Sequence, residues 1–163
     1  MALRERVDSL LKNATDSGAV PGVVAMATDR DSTIYEGAFG KRILGQDAAM
    51  TTDTVVWIAS MTKALTGTCA MQLVEQGKLD LESPASKWVS HLGKVEVLEG
   101  FDSAGKPRTR KPKRPITLRH LLTHTAGFSY EIWSGDIQKC QQANNLPGVT
   151  TCQNAALLTP LLF

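Results

Sequence analysis

The chain has 163 residues, 42% of them hydrophobic and 21% charged, the mix of a soluble globular protein of ordinary domain size. A formal net charge of +2 argues against nucleic acid or an anionic membrane as a global partner, and no apolar run approaches membrane-spanning length. Cys69, Cys140 and Cys152 are odd in number and lack metal-ligand spacing, so they read as reduced cytoplasmic thiols.

From Met1 to Asn13, charged residues alternate with Leu3, Val7, Leu10 and Leu11 in the pattern of an amphipathic helix, without the apolar core of a signal peptide. Gly18 and Pro21-Gly22 break that pattern. Val23 to Thr28 then reads as a buried strand, Asp29 to Ser32 as a turn, and Thr33 to Gly40 as the hairpin partner. A loop rich in Gly, Asp and Thr leads to the apolar, strand-like run Val55 to Ala59.

Ser60-Met61-Thr62-Lys63 follows that run. A serine and a lysine three apart on a helix share a face, with β-carbons about 5–6 Å apart, so the amine can reach the hydroxyl as a base reaches a nucleophile. The same spacing occurs at Ser9/Lys12 and Ser103/Lys106, but the first lies in the amphipathic helix and the second in a turn, where both read as solvated. Ala64 to Val74, by contrast, carries no charge and is apolar or small nearly all round, which predicts a buried helix that Gly77 stops. There, desolvation and the positive end of the helix dipole push Lys63 toward a neutral amine.

Ser83-Pro84 opens a short helix expected to reach Val89, and Val95 to Leu98 is a candidate strand. Six of the nine residues from Lys106 to Arg114 are basic, interleaved with Pro107 and Pro112, the composition of an exposed loop or hairpin tip. No aromatic residue is interleaved there, so a nucleic-acid clamp is disfavoured. Thr117 is placed to cap a helix beginning at Leu118, with Ile116 packing on Leu121 as a hydrophobic staple and Gly127 ending the unit. His120 and His124 are four apart, a spacing that suits one zinc ion, yet no glutamate lies between them and no third ligand beyond a guess at His91 is evident. The two histidines are read as packing or hydrogen bonding, and no metal or other cofactor is expected. One further helix is expected around Asp136 to Ala143. The apolar residues at the end of the sequence, through Phe163, suggest a chain cut short.

Ser60-Met61-Thr62-Lys63, Gly77-Lys78-Leu79-Asp80-Leu81, Val97 to Asp102 and Ile116 to Gly127 together resemble the serine β-lactamase and penicillin-binding-protein superfamily, in the branch of class C-type, family VIII-like carboxylesterases. The resemblance implies an α/β fold of the α+β type, an antiparallel sheet flanked by helices with a mostly helical region, residues 1–163 being the N-terminal portion of one such domain. It assigns the nucleophile to Ser60 and the paired lysine to Lys63. The family's Tyr-x-Asn and Lys-Thr-Gly-like elements do not occur in this sequence. The implied activity is that of a serine hydrolase acting on a small-molecule ester or β-lactam, weak or absent in this chain by itself. A sensor that captures an acyl group without turnover, and an acyltransferase, are the alternatives. Oligomeric state is not legible.

Overall fold

The computed structural model describes residues 3–163; Met1 and Ala2, which open the expected N-terminal helix, lie outside the described residues. By its internal contacts the chain divides into two units, Met1–Ala59 and Ser60–Phe163.

In the first unit the amphipathic segment folds as α1 (Leu3–Asp16), and the two strand segments form an antiparallel hairpin, β1 (Gly22–Thr28) with β2 (Thr33–Gly40). The turn is set by local chemistry: Asp29 Oδ1 accepts the backbone N–H groups of Asp31 at 2.9 Å and Ser32 at 2.7 Å. Those hydrogen bonds hold the Asp29 carboxyl below the ordinary aspartate pKa. α1 lies against β2, where Tyr35 is buried and its hydroxyl donates to Asp8 Oδ1 at 2.7 Å. Burial first, then the Asp8 carboxylate, raises the Tyr35 phenol above its usual pKa. Val23 to Thr28 was expected to be buried, but none of β1 is, because a two-stranded sheet covers little of its own surface.

The run Val55 to Ala59 is a second departure. It forms no strand, and Val55 and Trp57 are 95% and 82% exposed. β-branched and aromatic residues favour a pleated surface only where a partner strand exists.

The second unit begins at Ser60 and contains α2 (Thr62–Glu75), the hairpin β3 (Val97–Phe101) and β4 (Pro107–Arg110), α3 (Leu118–Leu122) and α4 (Gly135–Ala143). The helix expected from Ser83 to Val89 is a single 3₁₀ turn, Ala85–Lys87. The basic stretch is more than a tip. Its first half is β4, paired antiparallel with β3, and the turn itself is Asp102 to Lys106.

The core gathers on β3. Val97, Ile116 and Leu161 are buried together, with Leu92, Val95, Leu121 and Ala126 packed on them. Leu161 adds to β3 as a short parallel bridge: its N–H donates to Glu96 O and its carbonyl accepts from Leu98 N–H, both at 2.8 Å. Thr159 and Pro160 are buried as well. The apolar residues near Phe163 therefore have a structural use that their composition did not disclose. α4 is capped by Ser134, whose Oγ accepts from Ile137 N–H, and it buries Ile137, Cys140 and Gln141. Burial pushes the Cys140 thiol pKa up. Among the described residues, no helix is long and apolar enough to cross a membrane.

Candidate functional site

Ser60 sits where the backbone turns sharply into a helix. Ala59 has φ of +44°, in the left-handed region that alanine rarely adopts, and a 3₁₀ turn over Ala59–Met61 leads into α2. No glycine marks that turn, so nothing in the sequence announced it. Met61, not Ser60, is the residue flanking the helix, and no side chain caps it. The Ser60 hydroxyl is thereby left for another partner. Lys63, one turn along the same face, supplies it: Nζ donates to Ser60 Oγ at 3.0 Å. The structure thus brings together the two residues that the spacing predicted.

Their surroundings differ from the expected ones. No residue of α2 is buried; Leu65 is 61% and Met71 45% exposed, and Cys69 is exposed too. A helix that is apolar all round needs cover on several sides, and the described residues do not supply it. Ser60 and Lys63 are likewise exposed, so the desolvation expected for the amine is missing here. The far end of α2 closes as expected. Gly77, at φ +68°, donates its N–H to Val74 O, and Lys78 N–H donates to Leu73 O, both at 2.9 Å, which is the Schellman arrangement.

Two of the other family-like segments, Gly77 to Leu81 and Ile116 to Gly127, are tied together. Arg119 N–H donates to Leu81 O at 3.0 Å, Ala85 N–H to Ile116 O at 2.8 Å, and the Arg119 guanidinium pairs with Glu82. Asp80 Oδ1 accepts the Glu82 N–H at 2.7 Å. That bond, opposed by partial desolvation and aided by Ser83, lowers the Asp80 pKa.

Thr117 caps α3 as expected, and Ile116 packs with Leu121. His120 has a role that the sequence reading left open. Its Nδ1 accepts the Thr117 N–H at 3.1 Å while Thr117 Oγ1 accepts the His120 N–H at 3.3 Å, a reciprocal cap in which imidazole stands where Glu or Gln is usual. A Thr-x-x-His at a helix start was the available signal. His124 lies beyond the end of α3 in the left-handed region at φ +57°, so the two imidazoles do not share a helical face. α3 itself ends at Leu122, with Thr123 flanking it, before Gly127 is reached. No group of three metal-binding side chains occurs among the described residues.

The Beta-lactamase family profile matches residues 7–150. Acyltransferase mokF of Monascus pilosus is 39% identical over 132 residues, covering 77% of this chain and 32% of the relative. Lovastatin esterase of Penicillium rubens is 38% identical over 143 residues, covering 85% of this chain and 36% of the relative. Among solved structures, simvastatin synthase (LovD) of Aspergillus terreus superposes with a TM-score of 0.78 at 32% identity, over 97% of this chain and 41% of that one. The chain spans about a third of the length of the curated relatives it matches. The superposition gives the α+β arrangement described above the β-lactamase-like fold, and with the family profile covering residues 7–150 the chain belongs to the Beta-lactamase family.

Proposed function

We propose that this chain carries the nucleophile and base of a serine acyl-transfer enzyme, a carboxylesterase acting on small acyl esters. The observation that carries the reading is the 3.0 Å contact between Lys63 Nζ and Ser60 Oγ, set by one helical turn and a left-handed residue before it. In the reaction the neutral form of the Lys63 amine is the base: Ser60 Oγ attacks the ester carbonyl carbon and its proton passes to Lys63 Nζ. The carbonyl–alkoxy bond breaks as Lys63 returns that proton to the leaving alcohol. Water, giving a proton to Lys63, then attacks the acyl-serine carbonyl; the Oγ–acyl bond breaks as Lys63 hands that proton to Ser60 Oγ, and the acid leaves. The Ser60 N–H is the donor best placed by sequence for the developing oxyanion.

The family match runs through both compact units, which supports treating residues 1–163 as a portion of a single β-lactamase-like serine hydrolase domain. Three unpaired cysteines support a reducing, cytoplasmic setting. Activity in this chain is expected to be weak, since the Ser60–Lys63 pair is open to water.

The test is covalent labelling. A fluorophosphonate is expected to add to Ser60, as read by mass spectrometry; Ser60→Ala should abolish the adduct, and Lys63→Met should slow it about 10²-fold or more. Equal labelling of the Ser60→Ala protein would remove the assignment. A second reading, transfer to an alcohol instead of water, is favoured by the relatives named as acyltransferases. Adding a competing alcohol to an ester assay separates the two: a new ester among the products means transfer, free acid alone means hydrolysis.

A further inference from the structure

The basic stretch plays no part in the Ser60 chemistry, and its cations are unevenly satisfied. Arg110 is held by Glu99 at 3.1 Å, whereas Lys113 and Arg114 have no acidic partner among the described residues. A solvated face ordinarily mixes both signs of charge; here one sign is gathered in a concavity. Arg110, Lys113, Arg114 and His120 line a cavity of about 300 Å³ together with the apolar Pro115 and Ala126. That volume is at the small end of the roughly 300–1,000 Å³ typical of ligand pockets. His120 is oriented for the purpose by its cap. Because Nδ1 accepts the Thr117 N–H, the neutral ring carries its proton on Nε2 and has a donor to offer.

From this combination of unpaired cations, a fixed imidazole donor and apolar walls in one small cavity, we propose that the β4–α3 segment binds a small organic carboxylate bearing a short apolar tail. The guanidinium of Arg114 and the ammonium of Lys113 take the carboxylate, and the prolines and Ala126 take the tail. Neither Ser60 nor Lys63 lines this cavity, so the site stands or falls apart from the esterase reading.

Titration of the whole chain with hexanoate, followed by ¹H–¹⁵N NMR, tests the proposal. Saturable shifts are expected at His120, Ala126 and Arg114, with 1-hexanol and inorganic phosphate each binding at least about tenfold more weakly, since each offers only half of the recognition. Lys113→Gln/Arg114→Gln should lose about tenfold in affinity, and both side chains are exposed, so the fold should tolerate the change. Lys113→Arg should retain binding, and Ser60→Ala should leave it unchanged. Hexanol binding as well as hexanoate, full affinity in the double variant, loss of binding in Ser60→Ala, or shifts confined to α2 would each overturn it.

Discussion

α2 and the core around β3 belong to the same unit, yet they are held in opposite ways. α2 is the most uniformly apolar segment of the unit and buries nothing, while β3, flanked by charged residues, carries two buried side chains, Val97 and Leu98. The Ser60–Lys63 contact is made by helix geometry within four residues. The core contact instead joins Val97, Ile116 and Leu161, which are far apart in sequence. Apolar composition states a need for cover; only partners brought from elsewhere meet it.

The largest effects that sharpen this contrast lie in the core. Ile116→Ala or Leu161→Ala removes a side chain that is at least 95% buried and should cost about 2–5 kcal/mol. Leu65→Ala on α2 should stay within about 0.5 kcal/mol, since it is mostly exposed. Urea denaturation of the variants side by side measures both. A large loss at Leu65 would mean that α2 is covered in solution.

Two glycines make the same comparison at smaller scale. Gly127 has φ of +94°, and a Cβ there would sit 2.9 Å from Phe163 O, a backbone atom that cannot swing away. Gly127→Ala should therefore cost about 1–3 kcal/mol. Gly67, inside α2, has nothing within 4 Å of an added Cβ, so Gly67→Ala should stabilise by up to about 1 kcal/mol through helix propensity. Thermal melts of the two variants should move in opposite directions. Between these, Thr117→Ala removes the Oγ1 half of the α3 cap and should cost about 1 kcal/mol.

What could be read from the sequence follows the same division. The Asp29 turn, the Thr117 cap, the Gly77 stop and the Ser60/Lys63 spacing are decided within a few residues of themselves, and each has its expected geometry. The features that misled depend on distant partners. Val55 to Ala59 has strand composition and no strand to join; Pro107 to Arg110 has loop composition and pairs with β3. Leu161 was read only as part of an apolar ending, although it extends β3 and fills the core. Burial of α2 was inferred from its own residues, which cannot report what lies beside them. The left-handed backbone at Ala59 gave no signal because alanine is ordinary elsewhere.

The smallest expected effect is at Asp80, in the turn that carries the chain from α2 toward α3. Its carboxylate is stabilised by the Glu82 N–H, so the folded-state pKa lies below the unfolded one. A depressed carboxylate contributes stability that is complete above the unfolded value and is lost as pH falls through the folded value; nothing is lost on the alkaline side. The carboxyl ¹³C shift of Asp80 should accordingly titrate below that of an exposed reference aspartate. Asp80→Asn, which keeps an acceptor but has no charge to lose, should flatten this part of the acid limb while leaving neutral-pH stability slightly lower. The Asp29 turn of the other unit is likewise built on backbone donors, the N–H groups of Asp31 and Ser32, and should titrate in the same direction. If Asp80 titrates at the reference value while Asp29 does not, the turn after α2 is open in solution, and the exposure of α2 then extends into the segment that joins it to the core.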